Sequence, residues 1–334
     1  MSRQATARLQ PRCRRRDILL RRARPLMGTL VGVAVRGDDD DPLETSIRAV
    51  FAEMGRLEAI LSEWRPDSAL SRVNRAAGVA PVRVPAELVE VIQAASQVAR
   101  ATRGAFDSTW AALSDLWKVD EPNFRPPSAE AVAMARKLVD YRDVVINDEA
   151  STIFLRRHGM RLGLGGIAKA YIAERAADFA VANGASHVLI DAGGDLVARG
   201  RNGDRPWTVG IRDPRSPATL LATVELHDEA IATSGDYEHF ADVDGQRHHH
   251  LLDPRTGVPA RESRSATVIA PRGALADAFA TGLFVLGSHG LDAAPTFAGV
   301  AALVVDKNGA AHLSARGATR FRPRPSCSSS VLRA

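Results

Sequence analysis

The chain has 334 residues, 45% of them hydrophobic and 25% charged, with a formal net charge of +5; this is an ordinary globular composition with room for one large domain or two small ones. The positive charge lies at the ends: residues 1–24 hold nine arginines against the single Asp17, residues 316–334 hold five arginines and no acid, and the body between them is acidic. That argues against nucleic acid as a partner of the folded part. Cys13 and Cys327 both sit in the tails, which excludes a disulfide framework, and no apolar run reaches the length of a transmembrane span.

Residues 1–24 read as a disordered, Arg-rich segment with too little apolar surface to pack. Arg12 to Asp17 has the charged start of a signal peptide, but only Ile18-Leu19-Leu20 follows before more arginines, so the hydrophobic region of an export signal is missing. Met27 to Val35 is the first strand, broken at its start by Gly-Thr. Asp41-Pro42-Leu43-Glu44 opens a helix with Ile47, Val50, Phe51, Met54, Leu57, Ile60 and Leu61 at helical spacing. Ser62–Asn74 is a polar turn region. Pro85 opens a second helix, ended by Gly104–Asp107, and a shorter helix spans about Ser128 to Leu138. Val144–Ile146 and Ile153–Leu155 form a hairpin. Arg161–Ala170 is a Gly-rich turn feeding a helix to about Asn183. Strands follow at Val188–Ile190, Trp207–Ile211, Thr219–Leu226, Ile231–Thr233, Ala266–Ala270 and Ala301–Val305, with a helix at Ala274–Leu286. Hairpins mixed with helices predict an α+β body over 25–315, followed by a basic Pro/Ser-rich tail at 316–334.

Four features are candidates for chemistry, although three adjacent histidines are more often a surface run and ordinary strand–helix turns also use Gly. In His248–Gly257, HHHLLDPRTG, two leucines separate imidazoles from a carboxylate held in an Asp-Pro turn, a pattern that brings His and Asp to the rim of a strand end. Asp277 and Thr281 lie one helical turn apart and offer two hard oxygen ligands of the kind Mg²⁺ takes, although an isolated pair of this sort is more often a capping Asp and a satisfied Thr. Gly163, Gly165 and Gly166 precede a helix, where backbone amides and carbonyls approach a phosphate or a metal, with Lys169 as a nearby point charge. Asp191-Ala-Gly-Gly-Asp195 is a strand end that either hugs a ligand or makes a tight bend. A P-loop, a G-x-S-x-G elbow and an H-E-x-x-H zinc motif are all absent from the sequence.

The motifs occur in one order: Met27-Gly-Thr, Ser62–Asn74, Gly104–Asp107, Leu164–Ala170, Asp191–Asp195, Val209–Pro214, Thr233–Tyr237, His250–Gly257 and Ala276–Gly287. In this the chain resembles the ApbE-type flavin transferases, the FAD:protein FMN transferases, over about residues 25–310. The resemblance implies a T-fold-like α+β architecture of mixed or antiparallel sheets with packed helices and an FAD cleft between two lobes. It implies Mg²⁺ at the pyrophosphate, FAD as substrate, transfer of FMN to a Thr or Ser hydroxyl of a target flavoprotein, and release of AMP. By motif, Asp277 and Thr281 are implied as metal ligands, with Gly166 adding a backbone carbonyl. His250 is implied as the catalytic His, and Asp253 either orients its ring or holds the turn. Met27, Ser68, Asp107, Lys169, Asp191, Gly193, Gly194 and Asp213 are implied to line the FAD cleft. The same site serves two alternatives: an Mg²⁺-dependent FAD pyrophosphatase with water as acceptor, or a flavin-binding protein with a degenerate metal site. The chain departs from the family pattern at Gly163, where an Asp is usual, and at Ala170, where a Gly is usual. Family members work on the outer side of the bacterial inner membrane, whereas the N-terminal segment here points to the cytoplasm.

Overall fold

A computed structural model describes residues 18–37 and 40–323. The chain enters on β1 (Ile18–Leu26), which pairs antiparallel with β2 (Thr29–Gly37) through the Met27-Gly28 turn. This corrects the expectation of disorder up to residue 24; residues 1–17 lie outside the described part. The physical reason is that β1 is an edge strand. Ile18, Leu20 and Leu26 rest against the core, while two of its arginines find partners on the next helix, α1 (Asp40–Leu61). Arg22 pairs with Glu44 at 2.8 Å and Arg24 lies 4.9 Å over the Phe51 ring. Charged residues on an edge strand also discourage pairing with other chains.

Helix α1 forms for the expected reason: Ile47, Val50, Met54 and Leu57 share one face and are fully buried. The stretch expected to be a polar turn contains a helix, α2 (Ala69–Arg75). Ser68 caps it by accepting a hydrogen bond from the Ser71 N–H at 2.9 Å, and Leu70 and Val73 anchor it. After β3 (Val82–Arg83) and Pro85 comes α3 (Ala86–Ala101); α4 (Ala129–Arg136) is capped by Ser128. The hairpin β4 (Val144–Asn147) and β5 (Thr152–Leu155) is present as expected, with β3 on its other edge.

The second half carries α5 (Ala168–Ala182), β6 (His187–Ala192), β7 (Asp195–Arg199), β8 (Trp207–Asp213), β9 (Ser216–Leu226) and β10 (Ala230–Gly235). Next are two short hairpins, β11 (Phe240–Val243) with β12 (Gln246–His249) and β13 (Leu252–Asp253) with β14 (Val258–Pro259). The chain continues through β15 (Ser263–Ala270), α6 (Gly273–Leu286), β16 (Ala301–Asp306), β17 (Ala311–Leu313), α7 (Gly317–Arg320) and β18 (Arg322–Pro323). Residues 316–323 were expected in a tail. Instead Phe321 is buried, Arg320 makes a two-pronged pair with Glu229 at 2.7 and 2.8 Å, and β18 pairs with β9. Residues 324–334 lie outside the described part.

Eight strands form one antiparallel sheet in the order β1-β2-β6-β7-β10-β15-β16-β17. Helices α1, α5 and α6 cover one face, and their side chains join those of β2, β6, β10, β15 and β16 in the main core. The smaller β8-β9-β18 sheet covers the other face, with Trp207 and Phe321 in the second core. Alternate residues of the central strands feed the two cores, as in Val304 against Leu303. This is the expected α+β class, and the central sheet is antiparallel throughout.

Gly273–Thr296, α6 with its 3-10 continuation, is long and apolar enough by composition to cross a membrane, contrary to the reading that no run has that length. Its position explains the composition: it is the core helix, packed on β10 and β15 with Phe279 and Phe284 fully buried. Phe279→Ala is expected to cost about 3–5 kcal/mol of stability in chemical denaturation.

Candidate active site

The apolar α6 carries one acid on its buried face, and the surroundings of that acid define the site. Asp277 is 4% exposed. One of its oxygens is met by the Ala170 N–H at the start of α5, while Oδ2 is buried with no hydrogen-bond partner among the described residues. Burial, then the nearby Asp195 carboxylate, push the Asp277 pKa up to about 8, against the pull of Lys169. Burial also raises Asp195, which stands at the first position of β7. Lys169 reaches between them: its Nζ is 3.4 Å from Asp195 and donates to the Gly165 carbonyl at 3.0 Å. Burial opposes the lysine's charge, but the carboxylates of Asp277 and Asp195 outweigh it and hold the pKa above the ordinary lysine value.

One turn further along α6, the Thr281 hydroxyl meets Ser234 Oγ of β10 at 3.1 Å. A Cβ added to Gly166 would sit 2.9 Å from Thr281 Oγ1, so glycine is what lets this backbone approach the hydroxyl. A carboxylate oxygen without a partner, a hydroxyl and a close backbone segment fit a hard divalent cation that prefers oxygen. Among the described residues no three His, Cys, Asp or Glu side chains cluster as a metal site. A cation held here would therefore take one carboxylate and fill its shell with hydroxyl, carbonyl, phosphate and water oxygens. The structure brings Gly166, Lys169, Asp277 and Thr281 together as expected, and adds Asp195 and Ser234.

His250 follows directly on β12. Its ring Nδ1 lies 3.2 Å from the His239 carbonyl, and its backbone N–H donates to the same oxygen at 3.1 Å. A carbonyl only accepts, so Nδ1 carries the proton and Nε2 is the basic nitrogen. Burial pulls the His250 pKa down to about 4, with the charges of His239, His249 and Lys169 acting the same way against the His239 hydrogen bond. Lys169 thus acts on both His250 and Asp277, which ties the imidazole to the acid electrostatically. The neighbouring imidazoles are structural: His249 Nε2 donates to the Ala260 carbonyl at 2.8 Å and the ring meets Phe284 edge-on, while His248 stacks on Trp117.

Of the two parts left open for Asp253, orienting the ring or holding the turn, its contacts are those of the second. Its carboxylate accepts from the Arg255 backbone N–H at 2.9 Å and from the guanidinium at 2.9 and 2.8 Å, and its carbonyl accepts from Thr256 and Gly257. It holds the Asp-Pro turn, and the His239 carbonyl orients the imidazole. Nothing in the sequence marks His239 for that part.

The residues expected along the FAD cleft divide into two groups. Gly193, with φ +71°, turns so closely over β2 that an added Cβ would lie 2.6 Å from Thr29 Oγ1. This puts the Asp191–Asp195 turn against the Met27-Gly-Thr turn, and Asp191 fixes it by accepting from the Gly194 N–H at 2.8 Å. A hollow of about 620 Å³ opens there, lined by Leu26, Met27, Thr29, Leu30 and Glu58 among others. Gly193→Ala forces a strained φ and a clash, and is expected to cost about 1–3 kcal/mol or more in thermal unfolding. Asp213 braces the β8–β9 turn through the Arg215 N–H, next to the two-pronged Arg215–Asp236 pair at 2.7 and 2.6 Å.

Ser68 and Asp107 do not join that surface. Ser68 is fully buried and its Oγ is used as the cap of α2. Asp107 is buried, with Oδ1 accepting from the Thr109 N–H and hydroxyl and Oδ2 from the Tyr141 N–H. Ser68 thus holds the start of α2, and Asp107 ties the turn at Thr109 to Tyr141.

With this geometry in view, the comparisons are specific. The ApbE family profile matches residues 27–304. The chain is 35% identical over 283 residues to the FAD:protein FMN transferase of Treponema pallidum, covering 80% of this chain and 78% of the relative. It is 32% identical over 290 residues to one from Klebsiella pneumoniae, covering 85% and 83%. The crystal structure of the ApbE protein of Thermotoga maritima superposes with a TM-score of 0.83 at 33% identity, covering 91% of this chain and all of that one. The apo form of the Pseudomonas stutzeri flavinyl transferase ApbE gives 0.80 at 30% identity, covering 91% and 97%. The chain belongs to the ApbE family.

Proposed function

We infer that this chain is an Mg²⁺-dependent FAD:protein FMN transferase, which splits FAD and joins FMN through a phosphoester to a Thr or Ser hydroxyl of a target flavoprotein. The observation that carries this reading is the partnerless Asp277 Oδ2 on the buried face of α6, beside Thr281 and Gly166. Asp277, Thr281 and the Gly166 carbonyl would hold the cation, which when bound draws charge from the pyrophosphate oxygens.

The chain's own residues do the rest. The Met27-Gly-Thr and Asp191–Asp195 turns offer the surface on which the substrate lies. Lys169, kept charged by its two acids, adds positive potential beside the phosphates. His250, neutral at ordinary pH, takes the acceptor hydroxyl's proton on Nε2. The freed oxygen forms a bond to the phosphorus on the FMN side, the P–O bond to the AMP half breaks, and AMP leaves. Placement and charge matter more than covalent help in such a transfer.

The test is to incubate the protein with FAD, Mg²⁺ and a target domain and weigh the products. A covalent FMN mass on the target with matching AMP supports the transferase. AMP and FMN released at the same rate without any target would instead make water the acceptor.

A further inference from the structure

The glycine turn that leads to Gly166 is held by a buried acid from a distant part of the chain. Gly163 has no room for a side chain: an added Cβ would lie 2.8 Å from Glu63 Oε2, and 2.9 Å from both Ala111 Cβ and Trp110 Nε1. The space beside position 163 is taken by a carboxylate that arrives from the segment after α1, a hundred residues earlier. Glu63 accepts from the Gly165 N–H and faces Arg161. The turn is braced on its other sides as well. The Gly163 N–H donates to the Ser108 carbonyl at 2.8 Å, Trp110 Nε1 donates to the Gly163 carbonyl at 3.2 Å, and Asn74 makes a two-way pair with Leu162 at 2.8 and 3.0 Å. Gly166, one residue beyond the amide that Glu63 holds, is the residue pressed against Thr281.

We propose that Glu63, reaching in from the α1–α2 connection, positions the Gly163–Gly166 turn so that the Gly166 carbonyl meets the cation. Glu63 is a positioning residue: it acts through the Gly165 amide and not on the substrate. Burial, offset by Arg161 and the Gly165 N–H, raises its pKa to about 7. A hydrogen-bond acceptor, charged or not, is therefore what the turn needs from it. The assignment rests on the metal reading given above and specifies what holds the Gly166 carbonyl in place.

The test measures Mn²⁺ binding to the full chain in the presence of FAD, by loss of the free-ion electron paramagnetic resonance signal, for wild type, Glu63→Ala, Glu63→Gln and Asp277→Asn. Melting temperatures are read in parallel to show that each variant is folded. Glu63→Ala is expected to bind Mn²⁺ about 10-fold or more weakly, as for loss of a group that orients a ligand. Glu63→Gln, which keeps an acceptor for the Gly165 N–H, is expected to bind like wild type. Wild-type affinity in Glu63→Ala would overturn the proposal, and so would a folded Glu63→Gln as weak as the Ala variant. If wild type and Asp277→Asn bind alike, the metal reading itself fails, an outcome separate from either of these.

Discussion

Asp277→Asn is expected to lower flavin transfer about 1,000-fold, the loss of several kcal/mol of charge stabilisation at a bound cation. The amide keeps the shape of the side chain but not its charge, so the fold should survive. The same variant carries a stability signature. In the folded protein Asp277 keeps its proton up to a pH of about 8, against the ordinary 3.8. Between those values the folded state binds more protons than the unfolded state, so the stability of the metal-free protein falls as pH rises through that window. Asp277→Asn should lose this decline; wild type is expected to melt at a higher temperature with Mg²⁺, and the variant is expected to lose that rise. Scanning fluorimetry across pH with and without Mg²⁺ decides the matter. An unchanged Mg²⁺ response in the variant would remove Asp277 from the metal site.

His250→Ala should lower kcat by about 100- to 10,000-fold, the range for a general base, and leave the KM for FAD little changed. The pH dependence of the wild type distinguishes a base from a residue that only shapes the cleft. With the imidazole pKa pulled from 6.5 to about 4, the active neutral form persists well into the acid range. At saturating Mg²⁺ the acid limb of the rate should therefore lie near pH 4. The same shift makes the folded state bind fewer protons than the unfolded state between those two values. The contribution of His250 to stability is thus full above 6.5 and is lost as pH falls toward 4. A rate limb at the ordinary imidazole value would place the base elsewhere, and near-normal turnover by His250→Ala would end its assignment.

The long periodic elements were legible because one face of each is apolar. Helix α1 could be read from Ile47 to Leu61, α3 from the Pro85 start, and the β4–β5 hairpin from its paired apolar runs. What escaped was structure stabilised from outside its own segment. Strand β1 reads as an arginine tail because Glu44 and Phe51, which receive Arg22 and Arg24, lie on another element. Helix α2 hides in a polar stretch whose Leu70 and Val73 are too few to show a period. Gly166 and Lys169 stand out in the sequence as a Gly-rich turn before a helix, and Asp277 and Thr281 as an acid and a hydroxyl one helical turn apart; the motif order adds the roles the resemblance implies, since short motifs carry their local geometry with them. The motif could not show that Ser68 and Asp107 spend their oxygens on loop amides, that Asp253 turns to Arg255, or that Glu63 reaches Gly163. Each of those facts is a meeting in space between a side chain and a partner that its own motif does not specify.

The central sheet runs β1-β2-β6-β7-β10-β15-β16-β17, and the groups of the candidate site hang from parts of the chain that are distant in sequence. Lys169 opens α5, Asp195 opens β7, Ser234 ends β10 and Asp277 rides on the helix after β15. Pairing strands so distant along the chain makes closure slow, because loop entropy is lost before the contacts reward it. A nascent or partly folded chain has the glycine turn without its acid, or the acid without its turn. Competence to discharge FAD is therefore expected to appear only once these distant strands have paired.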